Sequence, residues 1–478
     1  MSTPSPPPVV VIGAGPVGLA AAAHLLERGL TPLMLERGAS VGSALLCWGH
    51  VRVFSPWGYN VDRAARALLE AAGWDAPHAT ALPMGREIVR RYLEPLAAHP
   101  KIAPHLVLGA TVTGISRRGL DKLASADRHA TPFVVRWRDG SGREHATLAR
   151  AVIDASGTWG QPNPMGTDGM PVAGECSTGA RIAYGIPDVL GAERAAYAGR
   201  RVLVVGAGHS AMHVALDLLR LEQEAPGTHV VWAMRRNRID RLLGGGLNDE
   251  LPARGALGLA AKRAVDGGRL EMLAPFAAER IELTRERVSV AARIDGRDAT
   301  LEVDRIVVAT GFRPDVSILR ELRVELDPAI EAPPALAPLI DPNVHSCGTV
   351  PPHGAAVLAH PEPGFYIVGS KSYGRAPTFL MATGYEQVRS VAAEIAGDHA
   401  AASEVHLALP HTGVCSAAPV VAGLAASGCC GGPAPAAGEA CCVADAEAKQ
   451  RGDAGCGCGT TAPPQEHAQG SACCGVAA

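Results

Sequence analysis

Aromatic side chains are scarce, with six Phe, six Trp and seven Tyr making up 4% of 478 residues. Charge of one sign is scarce too, since 44 Lys and Arg stand against 47 Asp and Glu for a formal −3. Without excess basic charge there is no electrostatic footprint for nucleic acid or an anionic membrane, and neither is expected as a partner. Long apolar runs are missing. The best stretch, 9–26, is interrupted by Gly13, Gly15, Pro16, Gly18 and His24, whereas a spanning helix needs about 20 mostly apolar residues. The first eight positions hold no basic residue and so lack the charged start of a secretory signal. The chain is therefore expected to be soluble and cytoplasmic. Cysteine is thin where a secreted scaffold would need it. Only Cys47, Cys176 and Cys347 occur in the first 400 residues, against nine between Cys415 and Cys474. That pattern excludes a stapled fold and describes a reduced body with a thiol-rich tail.

What is present is length and apolar content. A chain of 478 residues, 47% hydrophobic, can bury a large core and divide into two or three domains. The last stretch is different. From Glu386 to Ala478 there is no Phe, Trp or Tyr, and Ala, Gly, Pro and Cys dominate. Without large apolar groups such a segment does not offset the entropy of ordering it. Residues 398–478 are expected to be a flexible, disordered Cys-rich tail.

Two segments share one local pattern. Val9 to Ile12 reads as a strand, Gly13-Ala14-Gly15-Pro16-Val17-Gly18 as a turn, Val17 to Glu27 as a helix and Pro32 to Leu35 as a second strand. This is the opening of a dinucleotide-binding unit. Gly13 allows the tight turn, Gly15 lets backbone approach a pyrophosphate, and Gly18 permits close helix–strand packing. The helix N-terminus then presents free N–H groups to the phosphates, beside Pro16. Glu36 follows Gly13 by 23 residues and ends the second strand. Its carboxylate suits ribose hydroxyls and repels a 2′-phosphate.

The pattern recurs 193 residues later. Arg201 to Val205 is a strand, Gly206-Ala207-Gly208-His209-Ser210-Ala211 a turn with Ala at the third position, Ser210 to Leu221 a helix, and His229 to Met234 a strand. Here the acid is replaced by Arg235-Arg236-Asn237-Arg238. Guanidinium groups pair with a 2′-phosphate through charge-assisted hydrogen bonds, which favours NADPH over NADH. Further strands are expected within 106–116, 132–137, 148–156, 301–310 and 364–369, and a helix over 382–395.

With Ala309-Thr310-Gly311-Phe312-Arg313-Pro314-Asp315, these turns resemble the two-dinucleotide-binding-domain flavoproteins over about residues 8–397. That superfamily includes flavin-containing monooxygenases, thioredoxin reductases and pyridine nucleotide-disulfide oxidoreductases. The resemblance implies an α/β fold of two Rossmann-like domains, an FAD domain with an NADPH domain inserted. The expected division is 8–165 and 301–397 for FAD and 166–300 for NADPH. Asp154-Ala155-Ser156-Gly157, followed by Pro162 and Pro164, looks most like the first linker of the flavin-containing monooxygenases. Gly42 to Tyr59, with Trp48, Arg52 and Ser55, resembles their segment beside the flavin. The resemblance implies that Arg37, Trp48, Arg52, Val112, Gly157, Gly311, Gly369 and the helix start at Thr383 join the cofactor set, with Arg52 as the catalytic charge near the flavin. Two departures stand out. Gly369-Ser370 replaces the Gly-Asp common in the superfamily, and 165–199 carries no clean Phe-x-Gly fingerprint. The disulfide reductases fit less well, because Cys47 has no second cysteine near it in sequence.

The tail groups its thiols as Cys429-Cys430, Cys441-Cys442, Cys456-Gly457-Cys458 and Cys473-Cys474. Thiolates suit soft ions and metalloids, and the C-x-x-C spacing usual for structural zinc is absent. The ends of some mercuric reductases and arsenic-resistance proteins look similar. The leading expectation is an NADPH-dependent FAD monooxygenase acting with O2 on a small soft nucleophile such as a thiol, amine or trivalent arsenical. One alternative is an NADPH-dependent disulfide or metal(loid) reductase that uses the tail cysteines. Another is a soft-metal-binding protein with a vestigial flavin fold. A homodimer fits the habits of the relatives.

Overall fold

The computed structural model describes residues 6–236, 251–343, 350–377 and 379–407. β1 (Val9–Ile12) is four buried apolar residues, as a parallel strand covered on both faces requires. The first glycine turn leads into α1 (Pro16–Glu27), where Pro16 occupies the first helical position and its missing N–H loses no bond. β2 (Pro32–Glu36) returns parallel to β1, and β3 (Leu106–Leu108) pairs beyond it. An antiparallel meander follows, made of β4 (Thr111–Arg117), β5 (Phe133–Arg138) and β6 (Glu144–Ala149). β7 (Ala151–Asp154) then re-enters the parallel sheet beside β1. The stretch 106–116, read as one strand, is thus two, broken where Gly109 takes a φ of +68° and the chain changes sheets.

The second unit repeats this plan. β8 (Ile182–Tyr184) and β9 (Arg201–Val205) precede the second turn and α2 (His209–Glu224), followed by β10 (His229–Ala233) and β11 (Glu271–Leu273). A second meander, β12 (Phe276–Leu283), β13 (Val288–Ile294) and β14 (Arg297–Val303), leads to β15 (Arg305–Val308). β16 (Phe365–Ile367) and α3 (Met381–Ile395) return to the first unit. The parallel sheets run β16-β7-β1-β2-β3 and β8-β15-β9-β10-β11. In each unit the meander lies between an edge strand, β3 or β11, and the strand that rejoins the parallel sheet, β7 or β15. The division expected at 300/301 falls inside β14. Because β15 pairs with β9 and β8, the chain stays in the second unit to about Ala309. The tail expected from residue 398 starts too early, because His399–Ser403 is a helix held on α3 by Arg389, which donates to the Ala401 carbonyl, and by Ser390, which donates to the Ala402 carbonyl.

Two crossings join the units, and they pair with each other. The Asn163 amide donates to the Gly311 carbonyl and the Arg313 amide to the Gln161 carbonyl, both at 2.9 Å. The Trp159 and Phe312 rings stack at 4.5 Å. The first meander is pinned differently. Glu362, fully buried, accepts from Arg117 Nε at 2.8 Å and from Arg128 at 2.7 Å. Burial alone would raise the Glu362 pKa, but the two guanidinium groups hold it low. Among the described residues no helix is long and apolar enough to cross a membrane.

Candidate functional site

The C-terminal edge of the first sheet gathers four chain segments. Asp154, at the end of β7, is in register with Ile12 of β1 and Ile367 of β16. The turns that follow these three strands therefore meet. Gly13 has a φ of +95°, and a Cβ there would approach the Ala155 carbonyl to 2.8 Å, so only glycine fits. A Cβ at Gly18 would collide with the Gly13 carbonyl. Gly15 differs, because a Cβ there would meet nothing within 4 Å. Its constraint is not internal packing, as expected for a residue that leaves room for a ligand. The start of α3 closes the group. Gly384 packs so tightly that a Cβ would lie 2.6 Å from Val17 and 3.5 Å from the Gly369 Cα. Thr383 is buried there. Two helix N-termini, those of α1 and α3, thus converge at one sheet edge and offer free amides to an anion.

Glu36 ends β2 as expected. Its Oε2 accepts the Ala14 amide at 2.7 Å and its Oε1 the Gly38 amide at 2.6 Å. The acid therefore shapes the turn as well as facing it. Arg37 is exposed beside Gly160. Gly157 lies close to the Ser370 hydroxyl, and a Cβ at Gly157 would stand 3.7 Å from Ser370 Oγ. Val112 sits at the irregularity of β4, packed against the core below the sheet. Trp48 is partly buried over Gly85. Arg52 is exposed, and its Nη1 donates to the Leu82 carbonyl at 2.7 Å.

The second edge is built alike. Gly206 has a φ of +144°, and a Cβ there would collide with the Ala309 carbonyl. Gly208 is exposed with open space around it, and Ser210 lies in the first turn of α2. Gly311 sits in the second crossing beside Asn163. Arg235 and Arg236 follow β10 and are exposed, and Arg235 reaches the Thr167 carbonyl at 3.3 Å. The two edges touch where Phe54, on the loop after Trp48, lies 5.2 Å from the ring of His209 at the start of α2. Asn237 and Arg238 lie outside the described residues, as do Cys347 and the paired cysteines Cys429, Cys430, Cys441, Cys442, Cys456, Cys458, Cys473 and Cys474. Cys47 and Cys176 are free and exposed. Among the described residues no group of His, Cys, Asp and Glu could hold a metal ion.

Sequence reasoning missed a buried network under the first edge. Lys371 Nζ donates to Asp154 Oδ2 at 2.7 Å and to Ser156 Oγ at 3.0 Å. Gln387 of α3 accepts the Gly369 amide at 2.7 Å and donates to Ser372 Oγ at 2.9 Å. The sequence signal nearest to it was Ser370 in place of the acid that often follows this glycine in the superfamily, and it did not point to Lys371.

Two glycine turns on two like sheets, one ending its second strand on an acid and the other on arginines, define a two-dinucleotide oxidoreductase. The residues fit both groups, since Gly15 and Gly208 leave open cradles at helix N-termini that added side chains would fill. Residues 7–360 match the family described as pyridine nucleotide-disulphide oxidoreductase, and the chain belongs to that family of FAD- and NAD(P)-binding proteins. It is 30% identical over 214 residues to an indole-3-pyruvate monooxygenase of Oryza sativa subsp. japonica, covering 45% of each chain. It is 25% identical over 347 residues to a ferredoxin–NADP reductase of Thermus thermophilus, covering 72% of this chain and 84% of the other. The chain thus spans under half the length of the curated monooxygenases it matches. The fold matches a bacillithiol disulfide reductase of Bacillus cereus with a TM-score of 0.60 at 19% identity, over 82% of this chain and 99% of that one.

Proposed function

We propose that the protein is an NADPH-dependent FAD oxidoreductase of the monooxygenase type, acting in the cytoplasm on a small, soft nucleophile such as a thiol, an amine or a trivalent arsenical. FAD occupies the first cradle and NADPH the second. When bound, the flavin supplies two-electron chemistry, accepting electrons from NADPH and passing them to O2. The chain's own residues bind, orient and exclude water. The α1 and α3 N-termini face the FAD phosphates and the flavin, while Glu36 shapes the turn and faces the ribose. Arg235 and Arg236 select the 2′-phosphate. Phe54 lies at the seam between the two edges, against His209, while Trp48 packs over Gly85 and Arg52 places a positive charge on the same loop.

The observation that carries the monooxygenase reading is the content of the loop beside the flavin. It holds Trp48, His50, Arg52 and Phe54, and its one thiol, Cys47, is exposed and donates to the Ser43 carbonyl of its own helix at 3.4 Å. The similarity to the monooxygenase supports the same reading. A second reading rests on the sequence of the tail, whose paired cysteines suit a mobile dithiol or a carrier of soft metal ions. Oxygen isotope labelling separates the two. Under 18O2, incorporation of one labelled atom into a thiol, amine or arsenite product, coupled to NADPH oxidation, supports the monooxygenase. NADPH oxidation by a disulfide or Hg(II) without oxygen, abolished by removing residues 408–478, overturns it in favour of the reductase.

A further inference from the structure

The cradle of the first unit contains an ion pair that the binding of phosphates and ribose does not use. Asp154 is fully buried, and the side chain of Lys371 is 1% exposed. Lys371 comes from the short helical turn Gly369–Tyr373 after β16 and Asp154 from the end of β7, so the pair bridges two of the turns that form the cradle. Ser156 is its exposed member. The Ser156 hydroxyl donates to Asp154 Oδ1 at 2.6 Å and accepts from Lys371, and the Ser156 amide donates to the same Oδ1 at 3.1 Å. Both oxygens of the carboxylate are thus engaged, Oδ1 by two donors of Ser156 and Oδ2 by Lys371. Beneath it the turn is fixed by Gln387, which is oriented in turn by the ring of His353 at 2.9 Å.

A buried pair of this kind is poor evidence for stability, because desolvating both charges offsets most of their attraction. What it does supply is two fixed charges in a low-dielectric position, where fields reach further than in water. We propose that Asp154 and Lys371 are positioning residues for FAD. In this assignment their pairing sets the shape of the cradle edge and their fixed charges set how readily the bound flavin takes up electrons. The proposal rests on FAD occupying the first unit. Reduction adds negative charge to the isoalloxazine. A nearby positive charge therefore raises the reduction potential, and a nearby negative charge lowers it.

The test is the midpoint potential of the bound flavin, measured spectroelectrochemically on the holoprotein and on Lys371→Met, Asp154→Asn, the double variant and Lys371→Arg. Lys371→Met is expected to move the potential to more negative values and Asp154→Asn to more positive ones. The double variant should return towards the wild type, and Lys371→Arg should stay near it. General loosening of the cradle would move both single variants in one direction. That result, or potentials unchanged in all variants, overturns the proposal. If Lys371→Met does not retain flavin, the opposite shifts of Asp154→Asn and of the milder Lys371→Gln decide the matter in the same way. Wild-type protein that neither carries nor takes up FAD would overturn the cofactor assignment itself, an outcome distinct from a loaded protein with unmoved potentials.

Discussion

In the first unit the strand after the glycine turn ends on Glu36, whose two oxygens hold the Ala14 and Gly38 amides. In the second, the equivalent strand runs out into exposed Arg235 and Arg236. Four strands of each sheet, β7-β1-β2-β3 and β15-β9-β10-β11, follow the same order, the outer strand alone differing, since β16 comes last in its unit and β8 first. The turns share the same collisions at their first glycines. The two units therefore differ in the charge of a few side chains beyond a shared backbone device, and the proposed discrimination between two nucleotides rests on those side chains. The helices that follow the turns make a second contrast. Burial pushes His213 on α2 down to about 4, aided by the Arg220 and His50 charges. Burial would also lower His24 on α1, but Asp62 at 3.0 Å, together with Glu27, outweighs it and raises His24 to about 9. The same residue type in equivalent helices is neutral in one unit and charged in the other, and the neighbouring carboxylates decide which.

The largest way to break the likeness is through the meander of the first unit. Glu362→Ala would leave Arg117 and Arg128 buried without their partner, and a loss of about 4 kcal/mol is expected in urea unfolding of the holoprotein. Next comes pH. The folded-state pKa of His24 lies above its unfolded value near 6.5, so its contribution is full below that pH and is lost as pH rises to about 9. A shift of that size corresponds to roughly 3 kcal/mol. Stability measured at pH 6 and at pH 9.5 should differ by less in His24→Gln than in the wild type, and equal differences would remove His24 from the account.

The contrast of charges is tested by Arg235→Ala with Arg236→Ala. Losing one charged hydrogen bond to a 2′-phosphate weakens binding by about 10–100-fold. NADPH titration at low salt should show that loss, while NADH affinity stays within about threefold. Unchanged preference would transfer the selection to residues outside this pair. The smallest effect sharpens the comparison most. Alanine at Gly15 or Gly208 meets no protein atom within 4 Å. Gly15→Ala should weaken FAD about tenfold and leave NADPH binding and ligand-free stability alone, and Gly208→Ala should do the reverse. An effect of either change on both cofactors would mean that the cradles are not independent.

Much of this was legible because it is local. A strand, a turn, a helix and a second strand within about 30 residues are the reach of the dinucleotide pattern, and Val9 to Glu36 and Arg201 to Ala233 fold as that pattern reads. Glu36 and Arg235 were singled out by their place at or just after the second strand of each pattern. The boundary near 300 was misplaced because β14 and β15 are consecutive in sequence yet belong to different sheets. Lys371 went unnoticed because its partner Asp154 lies 217 residues away.

The sequence by itself determined two nucleotide turns, their opposite charges and a body low in thiols, since each is written in residues a few positions apart. Tertiary structure alone decided which groups share an edge. Parallel register sets Ile12, Asp154 and Ile367 side by side. The turns beyond them, and the buried charges they carry, meet only because the sheet closes over hundreds of intervening residues, and no local preference specifies that pairing.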